Sequence, residues 1–129
     1  MPVEVASHTK RLANASAEFR EALRHVHAKL PPRPGTRLLS GIDGFPVLDL
    51  ETGFDKLAAQ ISQTVQWEAC LQSCVEAGAT VFFELGPGAA LSAMMLTEDN
   101  KDVTARSLEE FQTLHGARSW LARHESASY

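Results

Sequence analysis

The sequence has little of what marks a membrane, secreted or nucleic-acid-binding protein. No apolar run approaches the ~18 residues that cross a bilayer, and the first residues show no signal-peptide pattern. Twelve Lys and Arg against sixteen Asp and Glu give a net charge of −4, with no basic stripe. We therefore expect a cytoplasmic protein with no nucleic-acid or membrane partner. Its 129 residues, 44% of them apolar, suit one globular domain.

Cysteine is scarce, and the patterns of common cofactor sites are missing. Cys70 and Cys74 lie four residues apart on a predicted helix, which favours buried, reduced thiols over a disulfide framework. They lack the paired histidines of a zinc site. No P-loop, dinucleotide fingerprint or paired-carboxylate motif stands out. The sequence therefore predicts neither a metal nor a bound cofactor.

The stretch from Ala79 to Gly88 is the one around which we expect the chain to be organised. Residues 80–85 run almost without polar alternation, which is typical of a strand buried on both faces. Gly86-Pro87-Gly88 allows a tight reversal, and residues 89–96 read as a helix that covers the strand. The expected fold is therefore α/β, with a mostly parallel sheet and flanking helices.

Glu84 is the anomaly of this strand. A carboxylate in apolar surroundings needs a hydrogen-bonding partner or a place at the end of the sheet. Two interpretations stay open: a hydrogen-bonded Glu84 that braces the glycine turn, which we favour, and a catalytic carboxylate.

His8 is the most informative of the five histidines. Residues 1–6 are predicted to form a short strand, and Ser7, His8 and Thr9 follow it directly. Residues just past the carboxyl end of a strand face the crevice where α/β proteins bind ligands. A lone histidine is more often structural than catalytic, so the residues alone indicate only a possible acid–base group. A polar cluster could accompany it: Gln60, Ser62, Gln63 and Gln66.

Apolar residues at helical spacing predict three helices in the first part of the chain. The first runs from Leu12 to Leu30, with His25 and His27 solvated, and the proline-rich segment 31–35 ends it. The second runs from Leu50 to near Gln63. The third begins around Val65 and stops at Gly78. Its inward residues are Trp67, Cys70, Leu71, Cys74 and Val75.

Two short strands and a terminal helix complete the prediction. The strands are expected at 37–40 and 103–106. Ser107 and Glu110 match a capping box that opens the terminal helix. Gly116 should interrupt this helix, Trp120 and Leu121 should dock it, and residues 125–129 should form a frayed tail.

Three motifs occur in an order and spacing that resemble the malonyl-CoA:acyl-carrier-protein transacylases. They are Pro2-Val3-Glu4-Val5-Ala6-Ser7-His8-Thr9, Gln60-Ile61-Ser62-Gln63-Thr64-Val65-Gln66-Trp67 and Phe83-Glu84-Leu85-Gly86-Pro87-Gly88. The resemblance spans essentially the whole chain. Within the family, segments 39–44, 60–67 and 105–108 are most similar to the epsilon subunit of malonate decarboxylase.

The resemblance implies an acyltransferase that moves malonyl from coenzyme A to an acyl-carrier thiol through a malonyl-serine intermediate. It implies that His8 is the general base and that Gln60 marks the backbone region that orients it. Residues 84–88 would be scaffold behind the site. Malonyl-CoA and a phosphopantetheine-type carrier arm would be substrates, and an acyl carrier protein or carrier subunit would be the partner.

The departures from the family pattern are equally informative. The chain has no Gly-His-Ser-x-Gly, no arginine at the malonyl-carboxylate position and no N-terminal oxyanion loop. Thr64 and Thr9 replace the proline and the serine or cysteine usual in relatives. We therefore expect residues 1–129 to be the C-terminal part of an acyltransferase domain, inactive alone. It would associate with its N-terminal complement or as a homo-oligomer. The alternative is an inert truncated or split module that acts only in assembly or protein interaction.

Overall fold

The computed structural model describes residues 8–30 and 33–125, so the predicted strand at residues 1–6 lies outside the described residues. The chain divides into two compact units, Met1–Ser73 and Cys74–Tyr129. No helix in the described ranges is long and apolar enough to cross a membrane.

Two packed helices form the body of the first unit. Helix α1, Ala13–Leu23, follows a 3-10 turn and packs against helix α2, Leu50–Ser62. Across this contact the Arg20 guanidinium lies 2.5 Å from Asp55 and 2.7 Å from Glu51, and Leu23 is buried. Apolar burial and a forked ion pair therefore hold the two helices together.

Helix α1 is shorter than predicted, since it ends at Leu23 and not at Leu30. The N–H groups of Arg24, His25 and Val26 donate to carbonyls three residues earlier, so the chain leaves the helix through a tight turn. Histidine and β-branched valine favour helix only weakly, which explains the early end. His25 and His27 are exposed, as predicted.

The predicted strand at 37–40 is wrong. Leu39 and Pro46 form a single antiparallel bridge, and Gly44 N–H donates to the Ser40 carbonyl at 2.8 Å to close a turn. Ser40 N–H donates to the Phe45 carbonyl at 3.0 Å and Val47 N–H to the Leu38 carbonyl at 2.8 Å on either side of this pair. We call residues 38–47 the hairpin and its Ser40–Gly44 part the hairpin turn.

Helices α2 and α3 follow the predicted periodicity. Asp49 accepts the N–H of Thr52 at 2.8 Å and caps α2, which ends one residue before the expected Gln63. Helix α3 spans Trp67–Glu76. Gly78, at φ 92°, donates to Val75, and the following N–H reaches the Cys74 carbonyl, which confirms the predicted glycine stop.

The inward face predicted for α3 is only partly right. Cys70 is buried, and its thiol donates to the Ser40 carbonyl at 3.3 Å. Cys74 is half-buried, and burial raises the pKa of its thiol. Trp67, the first residue of the helix, is 47% exposed.

The second unit confirms the α/β prediction. Strand β1, Val81–Glu84, pairs in parallel with strand β2, Thr104–Ser107, and helix α4, Ala90–Met95, lies in the connection between them. All four residues of β1 are half-buried and not buried on both faces as predicted. Within the described residues β1 has β2 as its one sheet neighbour, so the strand stays partly open.

The terminal helix starts later than predicted. Ser107 and Glu110 do form the capping box, with the Ser107 N–H donating to Glu110 at 2.6 Å, but it closes a 3-10 turn. Phe111 is extended, and its ring packs 5.9 Å from that of the buried Trp120. The aromatic contact thus redirects the chain before helix α5.

Helix α5 spans Leu114–Glu125 without the predicted interruption. Gly116 lies inside it, since one glycine costs a helix only about 1 kcal/mol. Trp120 docks as predicted, and Leu121 is half-buried. Glu125 is the last helical residue and not part of a tail, and residues 126–129 lie outside the described residues.

Glu84 braces the glycine turn. Its carboxylate accepts the N–H of Ser92 at 2.8 Å and of Leu91 at 3.3 Å, which are otherwise unpaired donors in the first turn of α4. Ala89 precedes α4 and provides no side-chain cap, so the strand supplies what the helix lacks. The hydrogen bond from Ser92 N–H is the main cause that lowers the pKa of Glu84.

We predict that Glu84→Gln lowers stability at neutral pH. The amide has one acceptor where the carboxylate has two, so one N–H of α4 loses its partner. The folded protein holds this carboxyl pKa below its unfolded value. The contribution of Glu84 is therefore complete above the unfolded pKa and is lost as pH falls through the folded pKa. Urea unfolding from pH 7 to pH 3 should show the gap between wild type and variant shrinking, and a constant gap would contradict this.

Gly44 in the hairpin turn admits no side chain. It adopts φ +73°, and an added Cβ would lie 2.8 Å from the backbone carbonyl of Ala69 in α3. Gly35 adopts a similar φ of +80° with nothing within 4 Å of its Cβ position. Alanine variants at Gly35 and Gly44 therefore separate the effect of backbone strain from that of steric collision.

We predict that Gly44→Ala destabilises the protein about 1–3 kcal/mol more than Gly35→Ala. Both variants carry the left-handed strain, whereas only the first forces apart two packed backbones. Urea unfolding at matched protein concentration measures the difference. Equal losses would mean that the contact between the hairpin turn and α3 is not close-packed.

Candidate active site

The structure brings the two site residues predicted from the sequence into direct contact. His8 Nδ1 is hydrogen-bonded to the backbone carbonyl of Gln60, and His8 N–H donates to the carbonyl of Ile61 at 3.0 Å. His8 itself is exposed, with a left-handed backbone at φ 58°. One residue therefore binds two adjacent carbonyls through its ring and its backbone.

These carbonyls are available because α2 ends beside them. The last four C=O groups of a helix have no partner within the helix. Gln63 N–H donates to the Ala59 carbonyl at 2.9 Å. The carbonyls of Gln60 and Ile61 are the next two along the helix. His8 therefore acts as a cap from a distant part of the chain. Such a left-handed conformation in a non-glycine residue persists only where its surroundings hold it.

The contact determines the protonation pattern of the ring. A backbone carbonyl only accepts hydrogen bonds, so Nδ1 of His8 must carry the hydrogen. In the neutral imidazole this leaves the lone pair on Nε2. The arrangement is chemically that of a base held in one tautomer and open to a partner.

The polar cluster suggested by the sequence does not act as one set of side chains. Gln60 is half-buried and contributes its backbone carbonyl. Gln63 and Gln66 are exposed, and the backbone N–H of Gln66 donates to the Gly41 carbonyl at 2.7 Å. The contribution of this segment to His8 is therefore made by the main chain.

The hairpin turn also belongs to this site, since its Gly41 carbonyl accepts the Gln66 N–H. The sequence did not predict this. Asp43 lies 2.8 Å from Lys56 of α2 and accepts the N–H of Phe45 at 3.0 Å. The Lys56 ammonium, and then that N–H, lower the pKa of Asp43. The glycines at 41 and 44 were the available signal, because paired glycines in a turn often mark close backbone approach.

A cavity of about 380 Å³ opens beside Gln60 in the first unit. Its walls are mainly apolar, and among the described residues that line it Lys29 is the one cationic side chain. These residues are Ala28, Lys29, Leu30, Leu38, Leu39, Ser40, Val47, Leu50, Gly53, Phe54, Leu57 and Gln60. They therefore offer no arginine fork for a carboxylate.

Glu84 and the glycine turn have structural partners. Glu84 is engaged by α4, and Gly88 N–H donates to Glu109 at 2.9 Å while its carbonyl accepts from Ser107 at 2.6 Å. These two hydrogen bonds fix the turn to residues 107 and 109, so the Gly88 N–H is unavailable to a phosphate. Nowhere in residues 8–30 and 33–125 do three or more His, Cys, Asp or Glu side chains cluster as a metal site would require.

Comparison with known proteins gives a consistent family. No protein-family model matches the chain. The malonyl CoA-acyl carrier protein transacylase of Mycobacterium tuberculosis is 31% identical over 104 residues, which is 81% of this chain and 33% of that protein. The Synechocystis protein of the same name is 29% identical over 94 residues, 73% of this chain and 31% of that protein. The chain thus spans about a third of the length of these relatives.

Solved structures agree with the sequence relatives. The malonyl-CoA:acyl carrier protein transacylase (FabD) of Xanthomonas oryzae matches with a TM-score of 0.70 and 28% identity, over 84% of this chain and 33% of that one. FabD of Acinetobacter baumannii matches with a TM-score of 0.79 and 26% identity, over 99% and 38%. Sequence and fold are therefore both similar to those of the malonyl-CoA:acyl carrier protein transacylases, over about a third of such a protein.

Proposed function

We propose that this chain is the histidine-bearing part of a malonyltransferase, with His8 as the general base. The observation that supports this most directly is the contact between His8 Nδ1 and the Gln60 carbonyl, which leaves the Nε2 lone pair available with respect to the described residues. A general base needs a lone pair, a fixed orientation and access to the reacting group. His8 has all three.

The proposed reaction has two acyl transfers through one serine. A serine from a part of the acyltransferase other than these 129 residues gives its proton to His8 Nε2 and attacks the malonyl thioester carbonyl. The tetrahedral intermediate then collapses, and the coenzyme A thiolate leaves with the proton from the imidazolium. In the second half, His8 takes the carrier thiol proton, the thiolate attacks the malonyl-serine, and the proton returns to the serine oxygen.

The finer proposal concerns the carrier. Segments 39–44 and 105–108 resemble the malonate decarboxylase epsilon subunit, so we propose a malonate decarboxylase carrier with a phosphopantetheine-type arm as the acceptor. Supplying the reconstituted enzyme with this carrier and with a fatty-acid acyl carrier protein would test the choice. The proposal requires at least about tenfold faster transfer to the first carrier.

Exposed apolar side chains support association with further protein. In the first unit Phe45 is 65% exposed and Leu48 86%, and in the second unit Leu85 is 75% exposed and Leu114 71%. Covering such residues is worth on the order of 25 cal/mol per Å². We propose that the rest of an acyltransferase, or a second copy of this chain, covers them.

For the catalytic role we predict that His8→Gln reduces malonyl transfer about 10²- to 10⁴-fold. The assay uses a chimaera in which this chain replaces the matching third of Acinetobacter baumannii FabD. His25→Gln is the matched control, because His25 is exposed and belongs to the turn after α1. Circular dichroism checks that both variants fold. Equal activities of the two folded variants would refute the assignment of His8.

For the isolated chain we predict association without activity. Light scattering should give a mass above the 14.1 kDa of one chain, and a radiolabel assay should detect no malonyl transfer. A monodisperse monomer would contradict the association proposal. Turnover by the purified 129-residue chain would contradict the need for a serine from outside it.

A further inference from the structure

Gly41 occupies a position in the hairpin turn where an added methyl group would be tightly packed. The residue is buried. A Cβ added to it would lie 3.0 Å from Val65 Cγ1 and 3.2 Å from both Cδ and Nε2 of the Gln60 side chain. Such distances are shorter than ordinary van der Waals contact, so a methyl group here would displace its neighbours.

Gly41 also contacts the chain on both sides of the connection between α2 and α3. The Gln60 side chain precedes this connection, and the Gly41 carbonyl accepts the N–H of Gln66, which follows it, at 2.7 Å. Between them lies Ile61. The carbonyls of Gln60 and Ile61 are the two that bind His8. Gly41 is therefore packed against the segment that orients the imidazole.

The hairpin turn is held in place, so it cannot move away from Gln60 and Val65 when residue 41 carries a methyl group. On one side Gly44 lies against the backbone of Ala69, and the Ser40 carbonyl accepts the Cys70 thiol. On another side Asp43 is paired with Lys56. Because these contacts hold the turn to both helices, pressure from residue 41 is transmitted to Gln60 and Val65.

We propose that Gly41 is a positioning residue for His8. It permits the close approach that places the Gln60 and Ile61 carbonyls on the imidazole and backbone of His8. This inference rests on the proposed function for its catalytic meaning. The geometric part concerns the chain alone and is measured without catalysis.

The test is the tautomer of His8 in ¹⁵N-labelled protein, read by two-bond ¹H–¹⁵N NMR across pH. In the wild type Nδ1 should show the protonated and Nε2 the unprotonated ¹⁵N shift above the pH at which the ring titrates. Gly41→Ala should bring the two shifts closer together, because a displaced carbonyl no longer selects one tautomer. The same sample should exchange its Nδ1 hydrogen faster with water.

Gly53→Ala is the matched control. Its Cβ would lie 2.6 Å from Val47 Cγ1, so it strains the packing of the same hairpin on the same helix, two turns away from Gln60. Gly53→Ala should leave the His8 shifts unchanged. An unchanged His8 pattern in Gly41→Ala, or an equal change in both variants, would overturn the proposal.

Two combined variants keep the test decisive if Gly41→Ala does not fold. Gly41→Ala with Val65→Ala makes room at the nearer contact and keeps the Gln60 contact, so a partial change at His8 is expected. Adding Gln60→Ala removes the second contact and preserves the backbone carbonyl, so the wild-type pattern should return. An unchanged His8 pattern in the double variant would contradict the proposal, and so would a triple variant in which the wild-type pattern does not return.

The effect on catalysis is measured with the same variants in the FabD chimaera. Gly41→Ala should lower kcat/KM about 10- to 100-fold, as expected for a misplaced base, and shift its pH profile, whereas Gly53→Ala should do neither. Failure of the proposed function would appear as full activity in His8→Gln. If His8→Gln is inactive while Gly41→Ala retains the wild-type rate and pH profile, the positioning inference alone fails.

Discussion

The free carbonyls at the C-terminal end of α2 are the constraint on which the candidate site depends. A helix cannot satisfy its own last C=O groups, and leaving them unpaired carries a free-energy cost. Here His8 supplies both its backbone N–H and its ring N–H to them. The same contacts complete a helix and select the tautomer of an imidazole. Stability and chemistry therefore use one interaction, and whatever shifts the end of α2 also shifts His8.

In the second unit, side chains satisfy the unpaired N–H groups at the N-terminal end of a helix. The first N–H groups of α4 find their acceptors on Glu84, which comes from the end of β1. Ser107 at the end of β2 and Glu109 in the 3-10 turn that follows then bind Gly88. Three polar side chains thus hold a glycine turn between a strand and a helix. This accounts for a carboxylate in an apolar strand without assigning it a catalytic role.

The chain spans about a third of the length of its relatives, and both of its units carry exposed apolar side chains. Leu48 and Phe45 of the first unit and Leu85 of the second are mostly exposed. In the described residues β1 pairs with a single strand. These exposed residues are the basis of the proposed association with further protein.

The sequence by itself determined the features that depend on near neighbours. The period of α2, the glycine stop at Gly78 and the strand–turn–helix around Gly86 could all be predicted, because local spacing and backbone freedom decide them. Only the tertiary structure decided that α1 ends at Leu23, that residues 37–40 form a bridge and that Phe111 redirects the chain. The family resemblance had indicated the backbone near Gln60, 52 residues away, as the partner of His8, and only the tertiary structure decided that Gly41 packs beside it. Such contacts join residues distant along the chain, so no local pattern encodes them.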